Sequence, residues 1–92
     1  MTIDQYNNLT DRQKKELLID AVKIDEHEDD IATYELFKID DFYIEVSRSV
    51  TYKFRRILST YSLEEIPPKY AGKVAANIFE KAIDKQKKVS YI

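Results

Sequence analysis

The sequence predicts an α+β fold: an antiparallel β-meander of about four strands with an N-terminal helix and a C-terminal amphipathic helix. Three observations carry this. Between residues 31 and 58 apolar and polar side chains alternate with the period of two of a half-buried strand. Ala71, Val74, Ala75, Ile78, Phe79, Ala82 and Ile83 recur at i, i+3, i+4 and i+7, one stripe of an α-helix. Thr10 with Gln13 three residues on is a capping box ahead of Leu17 and Leu18.

Each element has its own local cause. Thr2 and Gln5 repeat the capping signature, so the first helix is placed at 3–20, broken or bent near Asn7-Asn8. Val22 and Ile24 alternate with Lys23 and Asp25, a short strand or an extension of the first helix, ahead of the polar segment 25–30. Residues 31–39 are β-branched and aromatic, Asp40-Asp41 supplies a turn, and 42–47 alternates cleanly. Residues 52–58 read as the last strand. Pro67-Pro68 stop any helix entering from 62–66, and Pro68 suits the first position of the C-terminal helix. Gly72 costs that helix about 1 kcal/mol against Ala. Lys81, Lys85, Lys87 and Lys88 complement its negative end, and the tail 89–92 either pairs with an edge strand or frays.

Charge tests the register. A two-residue turn at Asp40-Asp41 pairs Ile39 with Phe42, Phe37 with Ile44 and Glu35 with Val46, whereas a three-residue turn sets Glu35 against Glu45. In the next hairpin a three-residue loop at 48–50 pairs Val46 with Tyr52, Ile44 with Phe54, Glu45 with Lys53 and Tyr43 with Arg55. The core face then carries Phe37, Ile39, Phe42, Ile44, Val46, Tyr52 and Phe54. The C-terminal helix is expected across it, with the first helix near the edge or on the other face.

Composition bounds the function. The chain has 92 residues, 43% hydrophobic and 35% charged, with eleven aromatics and no Cys. This is one domain, residues 1–92, burying about two-thirds of its unfolded surface. No apolar run reaches the ~18 residues of a membrane span, and no secretory signal opens the chain. Lack of Cys removes disulfides, thiolate zinc sites and thiol nucleophiles, and fits a cytoplasmic setting. The net charge of −2 argues against a dedicated nucleic-acid or membrane binder. Its distribution is uneven: residues 1–45 hold 13 acids and 5 bases, residues 46–92 hold 4 acids and 10 bases. The halves should attract, within one fold or between copies.

Candidate sites are few. The segment Asp25, Glu26, His27, Glu28, Asp29 and Asp30 is an alternative metal site, but a strand sends successive side chains to opposite faces, and the calcium-loop pattern fails. Tyr52-Lys53-Phe54-Arg55-Arg56 interleaves aromatics and bases, so Lys53, Arg55 and Arg56 form an alternative nucleic-acid surface. One His, one Gly and no Cys leave no catalytic triad and no phosphate loop, and no enzyme or cofactor is expected. Tyr34, Leu36, Tyr43 and Ile57 lie opposite the core face and are more apolar than a solvated surface requires. They are either covered by the first helix or form a contact surface. The expected function is a non-enzymatic protein-interaction domain that self-associates, most simply as a homodimer, through these residues. An unknown protein partner is the other occupant of such a surface.

The run Tyr34-Glu-Leu-Phe-Lys-Ile-Asp-Asp-Phe-Tyr-Ile-Glu-Val46 resembles short uncharacterised bacterial α+β proteins of the Bacteroidetes type, over residues 21–58. The likeness rests on the strand, the Asp turn and the Phe-Tyr-Ile-Glu-Val strand. That family has Gly in the first hairpin turn, where this chain has Glu28-Asp29-Asp30. The resemblance implies a small β-meander with flanking helices and carries no activity or cofactor.

Overall fold

Two capping boxes cut the N-terminal helix in two. Thr2 Oγ1 accepts from the Gln5 amide at 3.1 Å, and Gln5 Oε1 accepts from the Thr2 amide at 2.8 Å. Thr10 and Gln13 repeat the exchange at 3.2 and 3.0 Å. Each box satisfies amides that a helix start leaves bare. The result in this computed structural model is α1 (Ile3–Asn7) followed by α2 (Asp11–Ile19). The structure describes residues 1–51 and 54–89, with side chains described as far as Glu80.

Four antiparallel strands follow in sequence order, β1 (Val22–Glu28), β2 (Ala32–Ile39), β3 (Phe42–Ser49) and β4 (Arg55–Tyr61). A short 3₁₀ turn (Leu63–Glu65) leads to α3 (Pro68–Val89), which starts at the proline expected to open it. The fold is therefore the α+β meander that the sequence predicts. The central hairpin has the expected register, Ile39 opposite Phe42, Phe37 opposite Ile44 and Glu35 opposite Val46. Its two-residue turn holds Asp40 at φ 49°, a left-handed conformation that Asp adopts more readily than most residues.

The last hairpin differs from expectation. Arg48 pairs with Arg55, and Val46 pairs with Ile57 instead of Tyr52, with an irregularity between Glu45 and Val46. The connection is longer than three residues, so β4 starts three positions late. Phe54 consequently leaves the core and is 59% exposed, and Tyr52 lies outside the described residues. Ile57 changes face with the register and packs on the core cluster.

Helix placement is also reversed. The front face of the sheet packs Phe37, Phe42, Ile44 and Val46 against Tyr6 and Leu18 of α1 and α2. The back face packs Leu36 and Tyr43 against Tyr70 and Val74, on the first two turns of α3. Both faces are apolar enough to accept a helix, and short connections decide which one each takes. The pair α1–α2 precedes β1 by two residues, whereas α3 leaves β4 through Pro67-Pro68. At 1.5 Å per residue a 22-residue helix is about 33 Å long. The longest dimension of the molecule is 52 Å.

Candidate functional site

The two middle strands bury one glutamate on each face, and the polar chemistry of the molecule gathers around them. On the back face Glu45 stands opposite Leu36 and Ser59, with its side chain 7% exposed. Small Ser59 leaves room for groups that reach in from α3 and from the end of β4. Tyr70 donates its hydroxyl to Glu45 Oε2 at 2.6 Å, Lys69 Nζ reaches the same oxygen at 2.8 Å, and Tyr61 donates to Oε1 at 3.2 Å. Burial would raise the Glu45 pKa, but the bonds from Lys69, Tyr70 and Tyr61 and the Lys69 charge outweigh it. The net effect holds the carboxyl below its ordinary range. Burial first, and then the bonded carboxylate, push the Tyr70 phenol far up.

Lys69 also sits over the rings of Tyr34 and Tyr70, 4.4 and 4.9 Å from their centroids. Its carbonyl oxygen lies 2.8 Å from His27 Nε2, which is 2.9 Å from Asp25 Oδ2. Both partners are acceptors, so their positions assign the ring proton to Nε2. These contacts bind β1, β3 and β4 to the first turn of α3. Chemically the arrangement is a latch. Each oxygen of Glu45 has a donor.

On the front face Glu35 pairs with Val46 on one side and Glu26 on the other, its side chain 3% exposed. Lys23 offsets the repulsion between the two acids, with Nζ 3.4 Å from Glu26 Oε1 and 3.5 Å from Glu35 Oε2. Glu35 Oε1 has no hydrogen-bond partner, and the nearest charge is Arg55 Nε at 3.9 Å. Beyond Glu35 the next rung of the sheet is Glu28, Thr33, Arg48 and Arg55, one residue from each strand.

The expected contact surface of Tyr34, Leu36, Tyr43 and Ile57 does not exist as a free face. Leu36 and Tyr43 are buried under α3, Tyr34 is half-buried beneath Lys69, and Ile57 is on the other side of the sheet. Of the basic residues, Arg55 pairs with Arg48 and Arg56 with Ser47, so these neighbours point to opposite faces. Lys53 lies outside the described residues. The acidic segment diverges as strand alternation requires: Asp25 and His27 face α3, and Glu26 and Glu28 face the front. Asp29 closes the hairpin by accepting from the amides of Ile31 and Ala32, both at 2.8 Å, which lowers its pKa. Among the described residues no three His or carboxylate groups converge as metal ligands would.

Sequence reasoning passed over Glu45, Lys69, Tyr70 and the Glu28–Arg48–Arg55 rung. The signal for Glu45 was present, since it shares parity with Tyr43 on a face that also holds Tyr34 and Leu36. No helix among the described residues is long and apolar enough to cross a membrane. No protein-family model, curated protein or solved structure matches the chain.

Proposed function

We propose that the chain is a non-catalytic, cytoplasmic interaction domain that self-associates, and that its contact surface is the distal part of α3. One observation carries this reading. The helix that buries Tyr70 and Val74 against the sheet continues with Ile78 41% exposed and Phe79 66% exposed. An apolar stripe that is used for two turns and then bare is a face awaiting cover.

An apolar recess on the chain's own surface makes a second copy the proposed cover. The sequence of α3 holds Lys69, Lys73, Lys81, Lys85, Lys87 and Lys88 against Glu80 and Asp84, while residues 1–45 are strongly acidic. The outer side of α1 and α2 offers a recess of about 290 Å³ lined by Met1, Leu9, Gln13, Glu16 and Leu17. Helix α3 of each protomer against α1–α2 of its partner makes a closed two-fold dimer that sets the bare apolar residues on this recess, with Glu16 in reach of a lysine.

Light scattering across a concentration series tests this. The mass should rise from 10.9 kDa toward twice that value, and Phe79→Glu should hold it at the monomer. A wild-type mass fixed at 10.9 kDa at high micromolar concentration rejects the reading. Added salt should weaken the dimer by screening the lysines.

A further inference from the structure

We propose that the front face carries a second, independent site, which binds a small organic carboxylate with an apolar body. Glu28, Thr33, Arg48 and Arg55 stand in register across all four strands, and with Ser49 and Val50 they line a recess of about 530 Å³. Arginines directly opposite one another on neighbouring strands repel, an arrangement that an anion between them relieves. Among the described residues, acids engage these two guanidiniums only at long range. Arg55 turns Nε to Glu35 Oε1 at 3.9 Å, and Arg48 brings an Nη to Glu26 Oε1 at 3.8 Å, both beyond hydrogen-bond length.

The second observation is Glu35 itself. Its buried Oε1 has no hydrogen-bond donor, and a buried carboxylate oxygen in that condition calls for a role. Here it lies beside Arg55 as a fixed counter-charge. With Nε toward Glu35, the two terminal nitrogens of Arg55 remain for a ligand, in the planar fork that takes a carboxylate two bonds at a time. Glu35 is thus a positioning residue, and Arg48 and Arg55 are the binding residues.

The shape of the groove selects the rest of the ligand. A neighbouring recess of about 330 Å³ shares Arg55 and is lined by Leu18, Val46, Phe54 and Ile57, with Lys15 at its rim. A carboxylate on the arginines therefore places its body over apolar side chains. Glu26, Glu28 and Glu35 balance Lys23, Arg48 and Arg55 locally, so the site suits one small monoanion better than a polyanionic backbone.

Residue-resolved NMR titration of the full chain with octanoate tests the site, with acetate, inorganic phosphate and oligothymidylate as comparisons. Octanoate should shift the amides of Thr33, Arg48 and Ile57 and bind at least about tenfold more tightly than acetate. Arg48→Gln and Arg55→Gln should each weaken it by about tenfold, whereas Lys73→Gln, on α3 across the sheet, should leave it within about twofold. Glu35→Gln should weaken octanoate less than either arginine variant does. Equal binding of acetate and octanoate, tighter binding of phosphate or oligothymidylate, or unchanged affinity in either folded arginine variant would overturn the proposal. Spectral dispersion of each variant without ligand shows that it has folded.

Discussion

Glu45 and Glu35 occupy the two middle strands, are buried to nearly the same degree, and are held in opposite ways. Glu45 receives hydrogen bonds at both oxygens from two tyrosines, one of them buried, and a lysine against it at 2.8 Å. Glu35 meets two half-exposed cations at 3.5 and 3.9 Å and leaves one oxygen without a donor. The first is sealed because α3 lies over it. The second is flanked by Lys23 and Glu26 of β1 and Arg55 of β4, side chains of the sheet itself. A buried charge locks a fold when its partners are supplied by the element that covers it, and it remains available for other chemistry when they are not.

The comparison breaks most sharply by mutation. Glu45→Ala leaves the buried Tyr70 hydroxyl without its acceptor and removes the bonds from Lys69 and Tyr61, and should cost about 2–4 kcal/mol in urea unfolding. Glu35→Gln should cost under about 1 kcal/mol, because Lys23 and Arg55 rehydrate where they stand. Similar losses in the two variants would erase the distinction. Next in size is Tyr70→Phe, which deletes the 2.6 Å bond to a carboxylate and should cost about 1.5–3 kcal/mol by the same assay.

How far this contrast was legible in the sequence depends on where information is local. The central hairpin was readable, since Asp40-Asp41 fixes the turn and one slip would set Glu35 against Glu45. The fourth strand was not. Tyr52 and Phe54 satisfy the alternation as well as Ile57 does, and nothing in residues 48–54 fixes the loop length. Charge pairing favoured Lys53 opposite Glu45, but the actual cation is Lys69, 24 residues away on a helix that covers the strand from above. Which helix takes which face was equally hidden, because Leu36 and Tyr43 on one side rival Phe37 and Ile44 on the other. The apolar stripe of α3 reads as core, yet among the described residues Val74 is buried with Tyr70 whereas Ile78 and Phe79 are exposed.

The smallest effect is on pH dependence. The lowered Glu45 pKa means that its contribution to stability is fully present above the ordinary carboxyl value of 4.5. It is lost as pH falls from there through the folded-state pKa. Denaturant midpoints measured from pH 7 downward should fall along this limb, and Glu45→Gln should flatten it. At the other extreme, burial pushes the Tyr6 phenol up to about 12, so stability should decline as pH rises through 10, the ordinary tyrosine value.

Helix α3 is latched at its base and bare at Ile78 and Phe79, where the proposed second protomer would cover it. Amide hydrogen exchange across residues 70–80, measured at low and high micromolar protein, reads this directly. Protection at Tyr70 and Val74 should be high and independent of concentration, while protection from Ile78 to Glu80 should rise as the dimer forms. Equal protection along the whole helix at the lowest concentration, or no rise beyond Ile78 at the highest, would contradict it.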